Sequence, residues 1–127
     1  MIVLDTHAWL WWLSDPDQLG RVAAKRIQGS ERIGIAAVSC FEIAAAVAKG
    51  RITLDRGTLE WLQQGLAAPR LELLPLTPAI AVQAAMLGRF HGDPADRLIV
   101  ATAILESAVL VTKDQRIRKY EAVSTIW

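Results

Sequence analysis

The chain has 127 residues, of which 53% are hydrophobic, and its 14 basic and 13 acidic residues give a net charge of +1. This length fits one domain spanning residues 1–127, and the hydrophobic content excludes a disordered chain because it is ample for a packed core. The nearly balanced charge excludes a strong general attraction to nucleic acid, so any nucleic-acid role must depend on a local site.

The single cysteine, Cys40, excludes a disulfide framework and a cysteine-based zinc site. We expect it to be a small buried hydrophobic residue in a reducing compartment, with a reactive thiol as the alternative. The first residues, Met1 to Asp5, lack the basic region and long apolar run of a signal peptide, and no apolar stretch is long enough to cross a bilayer. The sequence therefore predicts a soluble, cytoplasmic protein with no membrane partner.

Short apolar runs alternate with helical patterns along the whole chain. In chain order we predict a strand at 2–4, helices at 7–13 and 15–29, a strand at 32–38, helices at 39–50 and 58–66, a strand at 71–74, helices at 77–88 and 93–107, a strand at 109–112, a helix at 114–120 and a strand at 123–127. The first run is wholly apolar, as expected for a central strand that is buried on both faces. This alternation predicts an α/β fold with a mostly parallel central sheet flanked by helices.

Four acidic residues fall where such a sheet binds ligands, beyond the carboxyl ends of its strands. They follow a strand directly or lie in the first helical turn after one: Asp5, Glu42, Asp96 and Asp114. Three of them have a second explanation in helix capping. Glu42 can form a capping box with Ser39, Asp96 can meet a helix dipole behind a cap at Asp93, and Asp114 can cap the last helix. Asp5 has no cap to make unless the next helix begins at once.

Taken together, the four carboxylates favour a cation site. Close pairs of carboxylates repel by roughly 4 kcal/mol at an effective dielectric constant of 20, and no pattern of lysine or arginine obviously neutralises all four. Ligation by oxygen alone points to Mg²⁺, or Mn²⁺, rather than zinc. Such a site suits phosphodiester hydrolysis, because the cation both activates water and stabilises the leaving oxygen.

Four motifs that contain these acids resemble those of the PIN-domain nucleases, and most closely the VapC-type toxins of toxin–antitoxin pairs. They are Asp5-Thr6-His7, Ser39-x-x-Glu42, Asp93-Pro94-Ala95-Asp96-Arg97 and Thr112-Lys113-Asp114. The resemblance covers nearly the whole chain. The last two motifs, Asp-Pro-x-Asp-Arg and Thr-x-Asp, are fairly specific to the family when they occur together, whereas any one motif alone is weak evidence.

The resemblance implies a Mg²⁺-dependent endoribonuclease that hydrolyses RNA by in-line attack of an activated water. Asp5, Asp96 and Asp114 would hold the metal, and Glu42 would complete the centre through a ligand or water contact. Asp93 is assigned to capping because it precedes proline. Family members usually form homodimers and are silenced by a cognate antitoxin, so RNA and an antitoxin are the expected partners.

Other polar residues have two explanations each. We expect His7 and His91 to make structural hydrogen bonds, and Arg97 to pair with a nearby carboxylate or contact a phosphate. Thr6 and Thr112 flank site acids and can orient them. A dense basic run is either a solvated helix face or a contact for the RNA backbone: Lys113, Arg116, Arg118 and Lys119.

The five tryptophans are many for this length. Trp9 and Trp12 share a face of the first helix, so Trp11 must point elsewhere. We expect an antitoxin segment to lie in a groove between this helix and the small residues of the Phe41–Ala48 helix, and to cover Trp11.

Three competing functions are weaker. A receiver domain needs an aspartate where Leu74-Pro75 end the middle strand, and a phosphatase of the aspartyl class needs one at position 7, which is His7. A catalytically silent binding or signalling module stays open, although all four acids are present. A DNA substrate stays open as well.

Overall fold

Five short parallel strands form one sheet in the order β3-β2-β1-β4-β5. The computed structural model describes residues 1–127. The strands are β1 (Ile2–Leu4), β2 (Ile33–Ala36), β3 (Leu71–Leu74), β4 (Val109–Val111) and β5 (Thr125–Ile126). The helices are α1 (Thr6–Ser14), α2 (Arg21–Gly29), α3 (Ala37–Ala48), α4 (Thr58–Leu66), α5 (Pro78–Ala85), α6 (Pro94–Leu105) and α7 (Gln115–Arg118). The predicted α/β fold with a mostly parallel sheet is confirmed, and the sheet is parallel throughout.

The sheet separates two apolar layers, and β1 contributes to both. Ile2 and Leu4 face one layer, with Trp9 of α1, while Val3 faces the other, with Ile99 of α6. All three β1 side chains are buried, as the apolar run predicts. Each buried side chain of this size stabilises the fold by about 1.5–3 kcal/mol, so β1 is anchored firmly between its neighbours.

The helix predicted over 15–29 is wrong in its first part. A 3-10 helix covers Pro16–Gln18, and α2 begins only at Arg21. Gly20 is extended between them, and Trp127 packs so closely that a Cβ on Gly20 would lie 2.6 Å from its backbone carbon. The break is therefore set by a long-range contact with the end of the chain, which no local pattern reveals.

The third helix begins two residues earlier than predicted. β2 ends at Ala36 and α3 starts at Ala37, so Ser39 lies inside the helix rather than at its cap. A continuous apolar run does not distinguish a buried strand from a buried helix, which explains the error. The predicted stop at Gly50 is confirmed: its φ is +70°, and the Arg51 amide donates to the Ala46 carbonyl at 2.9 Å, which closes the last turn.

The remaining bounds differ by a few residues. α1 starts at Thr6, α5 ends before Gly88, α7 is a single turn and β5 has two residues. Cys40 is half-buried against the core rather than buried, and burial raises the pKa of its thiol. None of the helices combines the length and the apolar character needed to cross a membrane.

The order of the strands creates the crevice in which the site lies. From β1 the chain moves to β2 on one side and later returns to place β4 on the other side. Loops leaving neighbouring parallel strands in opposite directions open a gap at their carboxyl ends, where ligands bind in such sheets. Residues that follow β1 and β4 therefore face the same space.

Candidate metal centre

Five carboxylates line one cleft at the carboxyl end of the sheet. One of them is Asp93, and we call the other four the acidic cluster: Asp5, Glu42, Asp96 and Asp114. The cleft has a volume of about 610 Å³. Asp5 follows β1 directly, and Asp114 follows β4 by three residues. Asp96 lies in the first turn of α6. Glu42 lies in the second turn of α3 rather than the first, because that helix starts at Ala37.

Asp5 is fixed through both carboxylate oxygens. It is 3% exposed, and its Oδ1 accepts from the Thr6 amide at 2.8 Å while its Oδ2 accepts from the Thr112 hydroxyl at 2.7 Å. The helix does begin at once, so Asp5 is its cap as well as a member of the cluster. The Thr112 oxygen also accepts the Asp114 amide at 3.1 Å, which ties the ends of β1 and β4 together.

Glu42 is held by Thr6 and not by a capping box. The Thr6 hydroxyl lies 2.5 Å from Glu42 Oε1 and 2.9 Å from the Ser39 hydroxyl oxygen. Because Thr6 has one hydroxyl proton, donating it to Glu42 leaves its oxygen free to accept from Ser39. Burial raises the pKa of Glu42, the Thr6 hydrogen bond opposes this, and the charge of Asp5 adds to the rise.

Asp96 is the most strongly perturbed acid of the chain. Its pKa is raised from an ordinary 3.8 to about 7, first by burial and then by repulsion from other acids. Those acids are Asp5, Asp93, Glu42 and Asp114. Near neutral pH the carboxyl group is therefore protonated in about half of the metal-free molecules. A cation that enters the cluster would displace this proton.

Asp114 differs from the others because a basic residue neutralises it. Its carboxylate caps α7 by accepting from the Arg116 amide at 2.8 Å, and Arg116 Nη2 lies 2.9 Å from its Oδ2. This hydrogen-bonded guanidinium lowers the pKa of Asp114. Arg116 Nη2 also lies 3.6 Å from Asp96 Oδ2. Sequence reasoning found no such counter-charge, although the spacing Asp114-x-Arg116 across a helix start was a usable signal.

Two histidines direct ring nitrogens at the cluster. His91 Nδ1 accepts from the Asp93 amide at 3.3 Å, so the proton of the neutral ring is on Nε2, which lies 3.1 Å from Asp96 Oδ2. That contact is close but poorly aligned for a hydrogen bond. His7 Nε2 accepts from the Lys113 amide at 3.1 Å, which leaves Nδ1 to face Asp5 Oδ2 at 3.6 Å. The expected structural hydrogen bonds are present, and the other nitrogen of each ring lies beside a site acid.

Arg97 forms no ion pair with a carboxylate, so the first explanation offered for it is wrong, and it does not line the cleft. Its guanidinium donates to the backbone carbonyls of Ala84 and Phe90 at 3.0 Å and of His91 at 3.3 Å. An arginine has five N–H donors and no acceptor, which suits it to gathering free carbonyls. Arg97 therefore fixes the segment before α6 and, with it, the position of His91.

Asp93 lies at the rim of the cleft. Its carboxylate accepts from the Ala95 amide at 2.9 Å and from the Asp96 amide at 3.4 Å, so it caps α6. The side chain is exposed. Oδ1 of Asp93 is thus committed to the helix end, whereas Asp96 Oδ2 lies 3.1 Å from His91 Nε2 and 3.6 Å from Arg116 Nη2.

The residues of the cluster fit a divalent cation. Two buried carboxylates, Asp5 and Asp96, converge with the half-buried Glu42 and Asp114, and the pKa of Asp96 is raised to about 7. His91, Asp96 and Asp114 each place a ligand atom within 4.8 Å of the others, and Asp5 and Glu42 line the same cleft. Oxygen ligands suit Mg²⁺, and an added imidazole is also acceptable to Mn²⁺.

Away from the acidic cluster the cleft is largely apolar. It continues between α1 and α3, with these apolar residues in its lining: Leu10, Val38, Phe41, Ile43, Ala45, Ala46 and Ile52. Two basic residues, Lys49 and Arg51, line the cleft as well. Trp11 does not line the cleft, so the expectation that a segment bound there would cover Trp11 is wrong. It packs instead on His7 and Trp127, at 5.1 and 5.8 Å between ring centroids. Trp9 and Trp12 do share the core-facing side of α1.

Replacing Asp96 by asparagine should stabilise the metal-free protein in a pH-dependent way. Because the pKa of Asp96 is raised in the folded state, ionising it lowers stability, and this loss grows from about pH 4 to about pH 7. We expect Asp96→Asn to raise Tm clearly near pH 8 and little near pH 5, measured by calorimetry with a chelator present. Asp17→Asn, on the exposed 3-10 helix, is the control. An effect of Asp96→Asn that is equal at both pH values would contradict the assigned cause.

The chain matches one protein family over nearly its whole length. Residues 2–123 match the model of the PIN domain. The chain is 40% identical to Ribonuclease VapC22 of Mycobacterium tuberculosis (strain ATCC 25618 / H37Rv), with 99% of this chain and 98% of the relative covered.

Solved structures share the fold. A chain of VapBC2 from Rickettsia felis, bound to a DNA fragment from the promoter, aligns with a TM-score of 0.73 at 20% identity, covering 99% of this chain and 98% of that one. A chain of FitAcB from Neisseria gonorrhoeae aligns with a TM-score of 0.70 at 21% identity, covering 100% and 97%. The family match and the full-length relative lead to the same conclusion: the chain belongs to the PIN domain family.

Proposed function

We propose that this chain is a Mg²⁺-dependent endoribonuclease and the toxin of a toxin–antitoxin pair. The observation that carries the proposal is the acidic cluster, in which four carboxylates converge on one cleft and two of them, Asp5 and Asp96, are buried. A cation is the simplest partner for such a group. The relative named Ribonuclease VapC22, 40% identical over 99% of the chain, supports RNA as the substrate class.

In this proposal Asp5, Asp96 and Asp114 hold Mg²⁺, with Mn²⁺ as an alternative, and Glu42 completes the centre through a ligand or a water contact. When bound, a divalent cation supplies Lewis-acid chemistry that activates water as the nucleophile and balances charge on the phosphate. The chain keeps the ligands in place: both oxygens of Asp5 are already held by Thr6 and Thr112.

Glu42 and Arg116 have distinct supporting roles in the proposed reaction. Glu42 is positioned by a hydrogen bond from Thr6, and burial raises its pKa, which makes its carboxylate a better acceptor for a proton from an attacking water. Arg116 stands at the mouth of the cluster with its side chain 61% exposed, where it can leave Asp114 and contact a phosphate. Both roles use groups that already face the cleft.

Two other functions are outcomes of the same test. A PIN-domain nuclease acting on DNA would have the same cluster, because the cation contacts phosphate and not the ribose. A catalytically silent binding module would keep the cleft but cleave neither polymer. Purified protein should therefore be incubated with RNA and with single-stranded DNA, each with Mg²⁺ and with a chelator.

We expect cleavage of RNA that requires the metal and that Asp5→Asn abolishes. Asparagine keeps the size of the side chain and one of its two acceptor oxygens, but removes the charge that binds the cation. Asp93→Asn is the matched control and should keep most activity, because asparagine caps a helix nearly as well as aspartate. Gel-resolved cleavage rates in saturating Mg²⁺ measure both variants. Equal loss in the two variants would show that Asp93 belongs to the metal site, and full activity of Asp5→Asn would refute the proposed centre.

The apolar part of the cleft is the proposed site of the antitoxin. Leu10 and Ala45 line a trough that leads to the acidic cluster, so a helix or extended tail with an apolar face fits it. A basic side chain on that segment could reach the carboxylates and displace the cation. A homodimer, as the family resemblance implies, stays a prediction.

Ala45→Gln tests the antitoxin site, because it puts a longer polar side chain into the trough. We expect the affinity for the cognate antitoxin to fall at least about tenfold, which corresponds to 1.4 kcal/mol, with RNA cleavage retained. Ala24→Gln, on the exposed face of α2, is the control. Calorimetric titration of each variant with purified antitoxin gives the affinity. Unchanged affinity of Ala45→Gln would exclude the trough as the binding site.

A further inference from the structure

A second cleft adjoins the acidic cluster on the side of α7. Its volume is about 580 Å³, and eight residues line it: Arg89, Phe90, His91, Arg116, Lys119, Tyr120, Glu121 and Ala122. Arg116 lines both clefts, and His91 lines the second one while its Nε2 lies 3.1 Å from Asp96 in the first. The two spaces therefore meet at Arg116 and His91.

The second cleft concentrates positive charge on a chain whose net charge is only +1. Three of its lining residues are cations and one, Glu121, is an anion. Arg116 is paired with Asp114, but Arg89 and Lys119 are exposed and form no ion pair within 4 Å. Two unpaired cations beside an acidic site are a candidate contact for a polyanion.

The walls of this cleft are held in place by tertiary contacts. Phe90 and Tyr120 meet edge to face at 5.1 Å between ring centroids, and the Tyr120 hydroxyl donates to the Leu87 carbonyl at 2.7 Å. The Arg97 guanidinium donates hydrogen bonds to the backbone carbonyls of Phe90 and His91. The basic residues of this cleft therefore lie beside two aromatic rings, Phe90 and Tyr120, whose positions are fixed by these contacts. Basic and aromatic side chains together suit single-stranded nucleic acid.

We propose that the second cleft binds the backbone phosphates of the RNA strand on one side of the scissile bond. This inference rests on the proposed ribonuclease function and deepens it. In the first cleft five carboxylates outnumber three basic residues, Lys49, Arg51 and Arg116, so the cleft repels a polyanion wherever the metal does not shield it, and cations outside it favour binding. Arg89 and Lys119 supply them, and Arg116 connects the flanking phosphate with the scissile one.

Of the four basic residues near the end of the chain, two line this cleft and two do not. Arg116 and Lys119 face the cleft, whereas Arg118 does not line it, and Lys113 lies over the Trp11 ring with its Nζ 5.6 Å from the centroid. Only some of the four basic residues should therefore bind RNA. Arg118→Gln removes one positive charge from the residue next to Lys119 and is the matched control for Lys119→Gln.

The test is the binding of a fluorescent oligouridylate, measured by anisotropy at several salt concentrations. All proteins carry Asp5→Asn in addition, so that the RNA stays intact. Lys119→Gln should bind more weakly than its parent, and the double variant Arg89→Gln, Lys119→Gln more weakly still. The slope of log affinity against log salt should fall by about 1.4 in magnitude, roughly 0.7 for each phosphate that the variant no longer neutralises. Arg118→Gln should leave both quantities unchanged, and Glu121→Gln should tighten binding.

Two results would overturn the proposal. Equal weakening by Arg118→Gln would mean that RNA responds to overall charge and not to this cleft. Normal RNA binding by the double variant, together with weaker binding of the antitoxin, would make the cleft a protein-binding surface. Because the assay measures binding alone, it is independent of cleavage. A chain with Asp5 intact that binds RNA at this cleft but does not cut it in saturating Mg²⁺ would refute the ribonuclease function and not the cleft.

Discussion

Repulsion among the buried carboxylates of the acidic cluster is the constraint on which the rest of the site depends. Fixing Asp5, Glu42, Asp96 and Asp114 around one space costs free energy that the metal-free protein only partly recovers. Part is recovered by the proton on Asp96, part by the Arg116 pair on Asp114, and part by hydroxyl donors such as Thr6. The cleft is consequently arranged to exchange a proton for a cation.

The fold tolerates this arrangement because the acids stand on rigid and well-buried supports. β1 is buried on both faces, and Asp5 follows it without an intervening residue. Asp5, Asp93 and Asp114 each also cap a helix, so the positive ends of three helices face the same region as the negative side chains. A helix cap and a member of the acidic cluster are therefore not alternatives in this molecule, because Asp5 and Asp114 are each both.

The sequence predicted the site better than it predicted its surroundings. Apolar runs followed by an acid identified Asp5 and Asp114, and helix-start patterns identified Asp96 and Asp93, because these signals are local. Contacts between distant residues were missed. Trp127 on Gly20 breaks a helix, Arg97 binds carbonyls of a loop, and His91 turns toward Asp96. The start of α3 was misplaced because apolar residues fill both a buried strand and a buried helix.

Crystals soaked in Mn²⁺ would test the central claim most directly, because the anomalous signal locates the cation without reference to activity. The account predicts a peak inside the acidic cluster, with oxygen ligands from Asp5 and Asp96 and with Arg116 moved away from its present contact with Asp96. A cluster that stays empty at saturating Mn²⁺, or a cation bound outside it, would contradict the account.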